Sequence, residues 1–186
     1  DNNVWLVGDD TEVLVIDAAH TAEPILAAIG GRSVTAIVAT HAHNDHINAG
    51  AALAEATGAP ILVHPDDAEL WAAVYPDRSW DGELSDGQVL RAGGHALTVL
   101  HTPVHTPGGV CLHDAASSVV FSADTLFKGG PGATGRSFSS FPTIIESIRT
   151  TLLPLPPETV VHTGHGDSTV IGDEAPHLDE WIARGH

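Results

Sequence analysis

The chain has 186 residues, 42% of them hydrophobic and 17% charged, enough apolar material for a substantial core and too much for a disordered chain. Seven Lys and Arg stand against 24 Asp and Glu, a formal net charge of −17, so an anionic nucleic-acid backbone is an unfavourable partner. Cys111 is the single cysteine, which excludes an intrachain disulfide framework, and no apolar run approaches the roughly 18 residues that span a bilayer. The cytoplasm is the default location. The sequence opens on Asp1-Asn2-Asn3 and holds no methionine, so a leader before residue 1 stays open.

Asn3 to Gly8 and Glu12 to Asp17 are β-rich runs around the turn pair Asp9-Asp10, a predicted hairpin. Thr21 can cap a helix with Glu23 and Pro24 in its first turn, ending at Gly30-Gly31. Val34 to Ala39 is an apolar strand, followed by a histidine-rich loop and an alanine-rich helix from about Asn48 to Thr57, stopped by Gly58. Ile61 to Val63 is short and apolar, and His64-Pro65-Asp66-Asp67 reads as a turn into a helical stretch through Trp71.

From Leu84 to Leu100 the pattern is strand, turn, strand. Val110 to His113 and Ser118 to Ser122 form a second hairpin, and a glycine-rich loop runs from Gly129 to Gly135. Ile144, Ile145, Ile148 and Leu152 give helical spacing over Phe141 to Leu153, with Pro154 ending the run. Thr159 to Thr163 is a last β-branched strand, and Glu174 to Arg184 a last helix. This order is neither a regular βαβ alternation nor an all-β sandwich. It suits two packed sheets with helices on the outer faces, in one domain over residues 1–186.

The loop Thr40-His41-Ala42-His43-Asn44-Asp45-His46 puts three imidazoles and a carboxylate directly after a strand. Neutral imidazole nitrogen and carboxylate oxygen are the ligands that zinc and similar divalent ions prefer. The alternative is a polar loop with a chance cluster of histidines. Loop geometry divides the four groups, so one tetrahedral ion cannot use them all, and further ligands must come from other strand ends. Three later strands end in this way: Leu97 to Leu100 leads into His101-Thr102-Pro103-Val104-His105-Thr106-Pro107-Gly108-Gly109, Val119 to Phe121 into Ser122-Ala123-Asp124-Thr125, and Val160-Val161 into His162-Thr163-Gly164-His165-Gly166.

With these four motifs the chain resembles the metallo-β-lactamase superfamily, and within it the small glyoxalase II-like (hydroxyacylglutathione hydrolase-like) hydrolases. The resemblance covers nearly the whole chain and implies an α/β (α+β) fold, a four-layer αββα sandwich with metal loops along one edge. It implies one ion held by His41, His43 and His105. A second would be held by Asp45, His46 and His165, with Asp124 bridging both. His101, His162 and His64 lie near these loops, as supports of a ligand or as solvent-facing rings; His20, His95, His113, His177 and His186 read as surface or loop histidines. Cys111 reads as a small buried residue.

Two divalent ions, zinc first and iron or manganese as alternatives, would share a hydroxide able to attack a carbonyl at neutral pH. Asp45 and Asp124 are the carboxylates expected at the chemistry. The family's small-molecule substrates are hydroxyacyl thioesters, and Lys128 and Arg136, flanking the glycine-rich loop, are candidates for a substrate carboxylate; each is equally readable as an exposed loop cation. The chain departs from the family pattern in three places. Val104 stands where glycine is usual, Gly135-Arg136-Ser137-Phe138 lacks an acidic position, and the C-terminal helical extension of full-length glyoxalase II is missing. Competing expectations are a mononuclear iron persulfide dioxygenase, a lactonase or β-lactamase, and a non-catalytic metal-binding protein. The tyrosine of a lactonase and the cysteine ligand of a common β-lactamase are hard to find here, since Tyr75 lies in a distant segment and Cys111 inside a strand.

Overall fold

The computed structural model describes residues 2–103, 106–135 and 138–185. Val104, His105, Arg136, Ser137 and His186 therefore lie outside the described residues. In chain order the first half contains β1 (Trp5–Gly8), β2 (Glu12–Ile16), α1 (Ala22–Ile29), β3 (Ser33–Val38), α2 (Asn44–Ile47), α3 (Gly50–Thr57), β4 (Ile61–Val63), α4 (Ala68–Val74) and β5 (Gly82–Glu83). These strands form one five-stranded sheet in the order β1-β2-β3-β4-β5. β1 and β2 pair antiparallel as the expected hairpin, whereas β2, β3, β4 and β5 run parallel. Parallel neighbours need crossover connections, which α1, α3 and α4 supply.

The second half contains β6 (Val89–Ala92), β7 (His95–His101), β8 (Val110–Asp114), β9 (Val119–Ala123), β10 (Leu126–Phe127), β11 (Gly130–Pro131), α5 (Phe141–Ser147), β12 (Val160–Thr163), β13 (Thr169–Val170), α6 (Ile171–Glu174) and α7 (Leu178–Arg184). Its main sheet has six strands in the order β13-β12-β9-β8-β7-β6, with β12 and β9 parallel and the remaining pairs antiparallel. β10 and β11 form a small hairpin of their own.

Three apolar layers separate four structural ones. Val13 and Val15 of β2, with Ile37, Ile61 and Val63, face Ile25, Ile29, Leu53 and Trp71 of the helices. Leu14 and Ile16, the alternate residues of β2, face the other sheet at Leu97, Val99, Leu112 and Phe121. Cys111, Val120 and Val161 face the second helical layer at Ile144, Ile148, Leu152 and Trp181. A strand covered on both faces reads as a continuous apolar run, which is what Val13 to Ile16 shows. Truncating one of these fully buried side chains, such as Leu53 or Ile148, to alanine costs about 2–5 kcal/mol. The result is the αββα sandwich expected from the sequence. Among the described residues, no helix is long and apolar enough to cross a membrane.

Local details differ from expectation. The helix expected to begin near Asn48 is preceded by the separate turn α2, so Asp45 and His46 are helical rather than in an open loop. Polar residues at Asn44, Asp45 and His46 carry no apolar periodicity and hid it. Thr21 sits at the N-cap of α1 but its side chain makes no capping hydrogen bond. α5 continues as a π-helical stretch over Ile148–Leu152, and a 3-10 turn at Ala175–His177 separates α6 from α7.

Candidate metal centre

Five strands deliver a polar residue just beyond their carboxyl ends to one edge of the sandwich. β2 leads to Asp17, β3 to Thr40 and His41, β4 to Asp67, β9 to Asp124 and β12 to His165. Because β2, β3 and β4 are parallel in one sheet, and β9 and β12 parallel in the other, their carboxyl ends gather on the same side. The crevice outside such ends is where open α/β sheets place ligands. At the join of β9 and β12 the register shifts between His162 and Thr163, and Ala123 takes φ 47°, a conformation alanine rarely adopts. That local strain turns the chain at Asp124.

The donor atoms converge. His46 Nε2 and His165 Nε2 are 3.2 Å apart. Asp45 Oδ2 lies 3.7 Å from His46 Nε2 and 3.5 Å from His165 Nε2. Asp124 Oδ1 lies 3.5 Å from His46 Nε2, and Asp124 Oδ2 3.5 Å from His165 Nε2. Ligands about 2.0–2.1 Å from a tetrahedral ion sit about 3.3 Å from one another, so this donor set fits a divalent cation in chemistry and spacing. His41 is buried, its ring centroid 4.0 Å from that of His46 and 4.9 Å from that of His43, the latter pair edge-on at 88°. Among the described residues, Asp45, His46 and His165 form one group whose ligand atoms lie within 4.8 Å of one another, and Asp17, His41 and His46 form another. The structure thus brings together His41, His43, Asp45, His46, Asp124 and His165. His105, expected beside His41 and His43, lies outside the described residues.

Asp17 was not singled out from the sequence, yet it organises the rings. Its Oδ2 accepts from His46 Nδ1 at 2.9 Å and from Thr40 Oγ1 at 2.7 Å, and its Oδ1 accepts from Thr40 N at 2.8 Å. Thr40 has one hydroxyl hydrogen, spent on Asp17, so at 3.2 Å it must accept from His41 Nδ1. Both rings then carry hydrogen on Nδ1, which leaves Nε2 as the atom each can offer a metal. Burial opposes a charge on His46, but Asp17 and Asp124 outweigh it and push its pKa up to about 10. Without a metal, this nest of carboxylates draws a proton onto the ring. For Asp45, burial works against the charge, while the Asn2 amide, His46 and His165 more than offset it and hold the carboxyl below its usual range.

One glycine and one more carboxylate shape the edge. A Cβ on Gly164 would lie 2.3 Å from Asp124 Oδ1, so only glycine lets β12 pass so close to that side chain. Asp67, buried, accepts from Ala42 N at 2.8 Å, from Thr106 Oγ1 at 2.9 Å and from Gly108 N at 2.6 Å. Burial pushes its carboxyl above the ordinary range in spite of these donors. In the sequence it was only a residue of a Pro-Asp-Asp turn.

The remaining candidates have other attachments. Lys128 pairs with Asp167 at 3.3 Å, with both side chains mostly exposed. Arg136 lies outside the described residues. His64 and His101 stack at 4.1 Å with planes 14° apart, and Asp66 completes a third group. Rings so nearly parallel cannot aim their in-plane lone pairs at one ion. His101 Nε2 donates to Pro107 O at 2.9 Å, and His162 stacks on Trp5 at 4.2 Å while its Nδ1 meets Ser168 Oγ at 2.9 Å. His95, expected as a surface histidine, joins the buried Asp114 at 2.7 Å. Tyr75 is nearer than its place in the sequence indicated, donating to Ile47 O at 2.6 Å behind α2. Cys111 is buried in β8, hydrogen-bonded with Thr102 at 3.3 Å.

A sequence profile described as the metallo-beta-lactamase superfamily matches residues 1–165. Over 191 aligned residues the chain is 32% identical to hydroxyacylglutathione hydrolase GloC of Haemophilus influenzae, covering 92% of this chain and 89% of that one. Among solved structures, TTHA1623, determined in a di-iron-bound form, is 35% identical with a TM-score of 0.80, over 94% of this chain and 92% of that one. BLEG-1, a B3 metallo-β-lactamase, is 28% identical with a TM-score of 0.83, over 95% and 92% of the two chains.

Proposed function

The chain belongs to the metallo-β-lactamase superfamily, and from that premise we propose that it is a dinuclear metal-dependent hydrolase of small hydroxyacyl thioesters. The observation that carries the reading is the convergence of Asp45, His46, His165 and Asp124 on one point at the carboxyl ends of β9 and β12. The likeness to a hydroxyacylglutathione hydrolase over nearly the full length of both chains supports the substrate class. In this reading His41, His43 and His105 hold one ion, Asp45, His46 and His165 the other, and Asp124 serves both. Zinc suits the donors, and iron or manganese can take the same ligands; the di-iron form of TTHA1623 supports iron as the alternative.

When bound, such a pair of ions lowers the pKa of water toward 7 and polarises a carbonyl oxygen. The chain's own part is orientation. Asp17 and Thr40 keep His41 and His46 in the tautomer that offers Nε2. Asp124, almost buried, fixes its two oxygens against one ring each. In this reading Asp45, half-exposed and ionised, would accept a proton from the attacking water and release it to solvent or to the leaving sulfur. Water adds across the acyl C–S bond: the acyl carbon gains the hydroxyl, and the thiolate takes the proton. Lys128 and Arg136 are the candidates for a carboxylate on the substrate, with Lys128 first leaving Asp167; an exposed pair of this kind is worth at most about 1 kcal/mol.

Free-thiol release from a panel of hydroxyacyl thioesters tests the reading. Wild-type protein is expected to hydrolyse at least one efficiently, and Asp124→Ala to lose the activity together with bound metal. Full activity in Asp124→Ala would remove Asp124 from its role. The likeness to BLEG-1 favours a second reading, hydrolysis of a β-lactam or lactone by the same centre. Cleavage of those rings without thioester turnover would establish it instead.

A further inference from the structure

We infer that the two halves of the ligand set are supported by separate positioning residues, Asp67 for the His41–His43 half and Asn2 for the Asp45–His165 half. The inference rests on the two-ion reading above.

Asp67 joins two segments far apart in the chain. One oxygen accepts from Gly108 N at 2.6 Å, and the other from Ala42 N at 2.8 Å and Thr106 Oγ1 at 2.9 Å. Ala42 lies between His41 and His43, and Thr106 follows His105. The carboxylate therefore ties the loop after β3 to the loop after β7, the two that carry the first half. The second loop is shaped around it: a Cβ on Gly108 would stand 2.8 Å from both the backbone nitrogen and the carboxyl carbon of Asp67. No contact joins Asp67 to Asp45 or His165 in the hydrogen bonds described above.

Asn2 serves the other half. Its Nδ2 donates to Asp45 Oδ2 at 3.1 Å, and its backbone bridges His165 in antiparallel fashion. The neighbouring residues extend the same seam: Asn3 N donates to Gly164 O at 2.8 Å, and Trp5 Nε1 to Thr163 O at 3.0 Å. The segment before β1 thus holds Asp45 by a side chain and the His165 turn by its backbone.

Groups that orient a metal ligand without touching the metal typically govern affinity by about 10–100-fold. Asp67→Asn is nearly isosteric, yet its amide nitrogen must face either Gly108 N–H or Ala42 N–H, so one loop loses its acceptor whichever way it turns. Asn2→Ala removes the hold on Asp45 and leaves the backbone bridge intact.

The test is equilibrium dialysis of the full chain with zinc, in two backgrounds that each keep one half of the ligand set. With Asp45→Ala and His165→Ala in place, Asp67→Asn is expected to weaken the remaining ion about 10–100-fold and Asn2→Ala to leave it unchanged. With His41→Ala and His43→Ala in place, the pattern is expected to reverse. Thr106→Ala, which removes only one of the three donors, gives a milder version of the Asp67 effect if Asp67→Asn does not fold by circular dichroism. Equal weakening of both ions by either substitution, or none, overturns the inference. A wild-type chain holding fewer than two ions overturns the two-ion reading instead, so the two failures are distinct.

Discussion

Asp17 Oδ2 lies 2.9 Å from His46 Nδ1 and 2.7 Å from Thr40 Oγ1, so one buried carboxylate sets the tautomer of His46 directly and that of His41 through Thr40. Asp17 has φ 57°, a left-handed conformation that asparagine also tolerates, so Asp17→Asn leaves the backbone unstrained. Its amide would present N–H to His46 Nδ1 and drive hydrogen onto Nε2. Metal affinity is expected to fall about 10–100-fold, read by competition with a chelator, while the circular dichroism spectrum stays that of wild type.

Gly164→Ala probes the closest approach at the site. The added methyl would sit 2.3 Å from Asp124 Oδ1 and 3.0 Å from His46 Cε1, so Asp124 must move. A displacement near 1 Å at reacting groups can cost about 100-fold in rate. The expected result is a comparable fall in kcat on the best thioester, with a melting temperature that changes by only a few degrees. A wild-type kcat would show that Asp124 tolerates displacement.

Cys111 is predicted to be chemically silent. Burial drives its thiol pKa up to about 11, against the opposing effect of its hydrogen bonds with Thr102 and Thr125. At pH 8 it is therefore protonated as well as enclosed. A disulfide exchange reagent should release no thiolate from native protein and one equivalent after unfolding in guanidinium. Rapid native reaction would contradict the packing of β8.

The His95–Asp114 pair tests acid stability away from the metals. Burial opposes the Asp114 charge, but His95 and Ser117 outweigh it and hold the carboxyl below its ordinary range. A depressed carboxyl contributes stability above about pH 4, and that contribution disappears as pH falls through the folded value. Asp114→Asn should cost about 1–3 kcal/mol in urea unfolding at pH 7 and less at pH 3. An equal cost at both pH values would mean the ionised carboxylate does not matter.

What could be read from the sequence followed what sequence encodes locally. The apolar runs that became β3, β9 and β12, and the polar residues crowded after them, pointed to His41, His43, Asp45, His46, Asp124 and His165. Asp17 and Asp67 were not legible, since a lone aspartate at a strand end or in a Pro-Asp-Asp turn looks the same whether it caps the chain or reaches a histidine. Asn2 was hidden for a similar reason: its role depends on contact with Asp45, forty-three positions away. β10 and β11 are two residues each, too short to show a period within the glycine-rich loop. The nearness of Tyr75 to Ile47 is likewise a product of packing α4 beside α2, which no local pattern announces.

Metal loading coupled to turnover tests the central claim most directly. Chelated protein is titrated with zinc, and separately with ferrous iron, while bound metal by elemental analysis and thiol release from the best hydroxyacyl thioester are followed together. Two ions per chain at full activity, with activity lost on chelation and no oxygen consumed, is the predicted result. A single iron per chain, with oxygen uptake on a persulfide and no thioester cleavage, would contradict it.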